Sequence, residues 1–185
     1  MKQLLIILTI HTLLSCGNKK QDDSSGTTVK SRHETVRFET IDDFGRQIFE
    51  LIRHDSYNNI LDLMPDLSEY TAFIDSSSMP EKTKKDRIEE LEEDLKENIE
   101  SLKQTYSRLK EQTERSGIDW EKTNLDHIDY KHTKKDNIES ADIYLNFSFK
   151  GVRYEIELKD CVKIGKTWLI GNEINWKSPE SNRYY

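Results

Sequence analysis

The sequence predicts an α+β domain: N-terminal helices, one of them long, followed by a curved four-stranded antiparallel meander. Three observations carry this reading. From Glu81 to Arg115 no Gly or Pro interrupts the chain, and apolar residues recur at helical spacing. Beyond Gly117 the period drops to two, with Ile143, Leu145, Phe147 and Phe149 alternating with Tyr144, Asn146 and Ser148. Glycine-containing turns at Lys150-Gly151 and Gly165-Lys166-Thr167 then punctuate the alternating region. Helices first and strands afterwards separate the two kinds of structure into layers.

The first 15 residues stand apart. Lys2 precedes an apolar run, Leu4 to Leu14, broken only by Thr9, His11 and Thr12, and the chain turns polar at Gly17. A positive start, a short greasy core and a cleavage region form the order of a secretory leader. The run is about half the roughly 20 residues that a spanning helix needs. An A-x-A cleavage site is absent, because the first alanine is Ala72. What stands there, Leu13-Leu14-Ser15-Cys16, resembles the lipobox of bacterial lipoproteins. The resemblance implies removal of residues 1–15 as a signal peptide and acylation of Cys16, palmitate being one candidate chain. The implied place is the cell envelope, on the outer membrane of a Gram-negative bacterium. Residues 16–38 then read as a flexible tether, polar and without period. Lys19-Lys20-Gln21-Asp22-Asp23 is similar to the tethers of surface-displayed lipoproteins.

Charge narrows the partners. With 28 basic and 35 acidic side chains the net charge is -7, and losing residues 1–15 removes only Lys2. Phosphate contacts need clustered Lys and Arg, so nucleic acid is an unsuitable partner. No basic stripe is present to hold anionic lipid, so membrane attachment falls to Cys16. Cys161 is the other cysteine of two, and acylation of Cys16 would leave it without an intramolecular disulfide partner.

Residues 39–177 are the expected domain. Thr40 and Asp43 form a helix start, and Phe44, Ile48, Leu51 and Ile52 make one apolar face. A short piece with Tyr57, Ile60, Leu61 and Met64 ends before Pro65. A third runs from about Leu67 to Ile74. Ser78 and Glu81 suggest a capping box, with Pro80 in the first turn and Gly117 past the far end. Within that long helix Ile88, Leu95, Leu102 and Leu109 fall on a heptad stripe, so helix 80–116 is a candidate surface for a protein partner or a homodimer. Its acidic cluster, Glu89 to Asp94, reads as a solvated face rather than a metal site.

In the strands, the Lys150-Gly151 turn pairs Phe149 with Val152, Phe147 with Tyr154, Leu145 with Ile156 and Ile143 with Leu158. A three-residue turn at Gly165 to Thr167 would set Ile164 against Trp168, Val162 against Ile170 and Leu158 against Ile174. Closing the first hairpin between Thr133 and Ile138 would set Tyr130 against Ala141. Residues 178–185 have no period and read as a loose tail. The element order and the closing Gly-Lys-Thr-Trp-Leu-Ile hairpin resemble the cystatin-like/nuclear-transport-factor-2-like (NTF2-like) group of folds. That resemblance implies a sheet wrapped around helix, serving ligand binding, pairing or, less commonly, acid-base catalysis.

In those registers the apolar phase breaks in one row: Tyr130, Ala141, Asp160, Asn172. A buried polar group costs a few kcal/mol unless hydrogen-bonded. Tyr130, Asp160 and Asn172 are therefore a candidate ligand pocket, against the plainer alternative that a bulge turns Asp160 outward and Cys161 inward. Acid-base catalysis by Asp160 and Tyr130 is the enzymatic version. No metal-ligand spacing, nucleophile elbow or phosphate-cradling loop is present, so no cofactor, metal or catalytic constellation is assigned. The expectation is a non-catalytic, membrane-tethered binding module, with assembly through helix 80–116 as the rival.

Overall fold

A computed structural model describes residues 38–76, 79–135 and 138–177. The leader, Cys16, the tether through residue 37 and the tail from 178 lie outside the described residues.

The first helix, α1 (Ile41–Arg53), starts where Thr40 Oγ1 accepts the N–H of Asp43 at 3.1 Å. It buries Phe44, Ile48, Phe49, Leu51 and Ile52. Phe38, expected to belong to the tether, is buried as well, and its carbonyl accepts the Trp168 N–H at 2.8 Å. Asp55, at φ +50°, breaks the chain before α2 (Tyr57–Leu61). A reciprocal cap opens α3 (Leu67–Ser76). Asp66 Oδ1 accepts from the Glu69 N–H at 2.8 Å, and Glu69 Oε2 accepts from the Asp66 N–H at 3.0 Å.

The long helix, α4 (Glu81–Arg115), has 35 residues, roughly 50 Å of rise. Pro80 is its N-cap rather than a first-turn residue, and Ser78 lies outside the described residues. At the far end Gly117 takes φ +64° and the Ile118 N–H reaches back to Thr113 O at 3.0 Å. This left-handed closure satisfies carbonyls that the last turn leaves open. Leu91 and Leu95 pack with Ile74 of α3, while Leu102, Tyr106 and Leu109 enter the main core.

After a 3-10 turn (Trp120–Lys122) come β1 (Asn124–Lys135), β2 (Ile138–Phe149), β3 (Val152–Ile164), β4 (Thr167–Leu169) and β5 (Glu173–Lys177). They form one open antiparallel sheet in the order β1-β2-β3, with β4 and β5 both paired to β3. The β2–β3 pairs Phe149–Val152, Phe147–Tyr154, Leu145–Ile156 and Ile143–Leu158 stand as expected. Turn and hydrophobic phase agree there, and a one-residue slip would expose the whole apolar set.

Elsewhere the pairing differs from expectation. The first hairpin extends to Lys135–Ile138, so Tyr130 faces Ile143 and His132 faces Ala141. Its outer end is polar because an edge strand needs no apolar face to pair. The β3–β4 turn holds two residues, so Ile164 faces Thr167 and Val162 faces Leu169. Leu158 still meets Ile174, because the returning strand is split and β5 re-enters one residue out of step. The sheet therefore has five strands where four were expected.

α1 lies across β1 and β2, and α4 runs along β5. The long helix thus covers one side of the sheet, and the apolar face of β1 and β2 is left to α1. Between them the concavity is filled. Phe147 meets Phe49, Trp120, Tyr154 and Trp176 at ring-centroid separations of 5.5 to 5.9 Å.

Candidate functional site

The residues expected to share a pocket do not. Tyr130 is half exposed on the edge strand, opposite Ile143. Asp160 takes φ +53° in a bulge that slips the β2–β3 register between Ala141–Cys161 and Ile143–Leu158. The extra residue turns Asp160 outward to the surface and Cys161 into the core, where it is 0% exposed. The Asp160 N–H donates to Asp142 Oδ1 at 3.2 Å, and partial desolvation followed by the Asp142 charge raises the Asp160 carboxyl pKa. Asn172 turns instead towards the long helix, donating from Nδ2 to Asn98 Oδ1 at 3.3 Å. The row required an unbroken strand, and the bulge removes that premise.

What holds the bulge is a close backbone approach. A Cβ placed on Gly171 would lie 2.0 Å from the Lys159 carbonyl oxygen and 2.6 Å from the Asp160 carbonyl carbon. Only glycine lets the chain pass there. Cys161 is enclosed behind it, and burial pushes its thiol pKa up to about 12. A thiol so placed stays protonated at neutral pH and is a poor nucleophile.

The fold builds a different cleft, at the other end of the helical layer. It is lined by Ile52, Leu109, Ile118 and Trp120 and rimmed by Asp55, Tyr106, Lys110 and Glu114, with a volume near 210 Å³. Tyr106 and Lys110 are one turn apart on α4, so both reach the same neighbour. Tyr106 Oη donates to Asp55 Oδ1 at 3.0 Å, and Lys110 Nζ lies 2.6 Å from Asp55 Oδ2. The left-handed backbone of Asp55 aims its carboxylate at both.

Electrostatics follow from these contacts. The bond from Lys110 holds the Asp55 carboxyl below its ordinary pKa, despite some opposing desolvation. Burial, then the bond to Asp55, raises the Tyr106 hydroxyl well above the usual tyrosine range. At neutral pH the rim is one ion pair and one neutral phenol, with Glu114 adding a second carboxylate. This arrangement can receive an apolar group on its floor and a donor or cation at its edge.

The sequence carries a partial trace of this cleft in the Tyr106–Lys110 spacing. Asp55 is 51 residues from Tyr106, and no local pattern joins them. Among the described residues no group of His, Cys, Asp and Glu is placed to hold a metal, and no helix is long and apolar enough to cross a membrane. No protein-family model matches the chain, nor does any curated protein or solved structure.

Proposed function

We propose that this chain is a lipid-anchored, non-catalytic binding module of the bacterial cell envelope, a cystatin-like/NTF2-like variant that uses the Asp55–Tyr106–Lys110 cleft to hold part of a protein partner. The anchor rests on the lipobox-like Leu13-Leu14-Ser15-Cys16 and the polar tether behind it. The fold variant rests on element order, helices before an open antiparallel sheet. The observation that carries the binding reading is the cleft itself: an apolar floor beneath a rim already oriented by two hydrogen-bonded contacts. At about 210 Å³ it is smaller than the roughly 300–1,000 Å³ of pockets for drug-sized ligands. A single side chain fits it better, and an extra rim carboxylate favours a lysine or arginine stem whose charged head stays in water.

The rival role, docking through helix 80–116, has less surface to use. Leu91, Leu95, Leu102, Tyr106 and Leu109 are buried within the chain, and Ile99 is the large apolar residue of α4 left exposed.

Two measurements test the proposal. Mass spectrometry of protein extracted from its native host should find a mature start at acylated Cys16; an intact Met1 removes the anchor. Capped peptides pairing Leu with Lys should shift the Trp120 indole resonance of ¹⁵N-labelled protein, and Lys110→Gln, Asp55→Asn or Tyr106→Phe should each weaken that response. Shifts confined to the outer sheet face would move the binding site elsewhere.

A further inference from the structure

The sheet ends on an edge that nothing covers among the described residues. β1 pairs with β2 on one side, and residues 129–134 are exposed along its length. Tyr130, 50% exposed, is one of three large apolar side chains left in solvent among the described residues. A long open edge offers unpaired N–H and C=O groups to another strand, and proteins commonly guard it with charged side chains, lysine above all. Here the charges on either side of Tyr130 have opposite sign: Asp129 before it, Lys131 after it.

We propose that β1 pairs antiparallel with β1 of a second copy, about a two-fold axis at Tyr130, joining two five-stranded sheets into one. An axis normal to a continuous sheet keeps each side chain on its own face, so each residue meets a partner of the same parity. With the axis at Tyr130, Asp129 faces the partner's Lys131 and Lys131 faces the partner's Asp129. On the opposite face Tyr130 meets the partner's Tyr130, and Ile128 meets the partner's His132. Moving the axis by one residue sets Lys131 against Lys131 or Asp129 against Asp129, and like charges directly opposite destabilise a strand pair. The charge pattern therefore favours another copy of this chain as the partner and disfavours the two registers on either side of the one centred at Tyr130. A membrane anchor would favour the pairing further by confining the copies to one surface.

Sedimentation of the full chain in density-matched detergent tests this. The wild type should dimerise, and Asp129→Lys or Lys131→Asp should each weaken the dimer by about tenfold or more, since each turns both reciprocal pairs into like charges. Mixing the two variants should restore a heterodimer, because one then presents a lysine on each side of Tyr130 and the other an aspartate on each side. Far-UV circular dichroism confirms that each variant is folded. Restoration on mixing cannot come from a merely misfolded strand. A monomer at about 100 μM, where a complex of micromolar affinity would be populated, overturns the proposal. So does a dimer that ignores both reversals or is broken by Ile99→Asp on α4.

Discussion

The backbone N–H of Ile174 donates to the hydroxyl of Thr105 at 3.2 Å, in a buried contact between β5 and the middle of α4. That hydroxyl in turn donates to carbonyls of its own helix, Ser101 O at 3.0 Å and Leu102 O at 3.1 Å. One threonine thus supplies a strand with the acceptor that a further strand would have provided. The long helix closes the sheet on this side, and the β1 edge stays open on the other.

Thr105→Val removes the acceptor while keeping the shape. A buried donor left without a partner costs about 1–3 kcal/mol. The midpoint of thermal unfolding should fall by several degrees, at roughly 2–4 °C per kcal/mol for a chain of this size. Thr105→Ser should lose much less. Equal losses would mean that packing, not the hydrogen bond, is what matters there.

Gly171→Ala drives a methyl into the Lys159 carbonyl, an approach that no side-chain adjustment relieves. Overpacking of this kind costs about 1–3 kcal/mol or more, because backbone must move. Gly165→Ala, in open space at a positive φ, should cost about 1 kcal/mol. Urea denaturation of the two variants should therefore rank them clearly, with Gly171→Ala the weaker protein.

Tyr106 makes stability fall at alkaline pH. Its hydroxyl titrates above the ordinary value of about 10. Above that pH the folded chain holds a proton that the unfolded chain releases, so stability is lost as pH rises from about 10 towards the folded value. Tyr106→Phe should show a smaller loss between about pH 8 and pH 11, read by chemical denaturation at both. An unchanged loss would assign the effect to the other tyrosines with raised values, Tyr57 and Tyr70.

Cys161 should resist thiol reagents. With its pKa near 12 and no exposed surface, it should stay unlabelled by iodoacetamide at mildly alkaline pH in the native protein and react in denaturant. Protein from the native host should then show no reactive thiol when folded and one when unfolded. A second thiol in denaturant would mean that Cys16 is free.

Much of the fold was legible because its causes are local. The Thr40 cap, the uninterrupted stretch ending at Gly117 and the Lys150-Gly151 turn each act within a few residues. Alternation then carried the β2–β3 register outward from the turn to Ile143–Leu158.

Position in space decided the rest. Whether Asp160 faced a pocket or water depended on a bulge, and the bulge packs against Gly171, where an added Cβ would meet the Lys159 carbonyl. The stripe of α4 announced a need for burial but not its recipient, which proved to be α3, β5 and the shared core. The cleft at Asp55 joins a helix end to a turn of α4 more than 50 residues later. Hydrophobic period and turn chemistry report what a segment requires from its surroundings. Only packing determines which surroundings meet that requirement, because the partners are distant in sequence and chosen by shape.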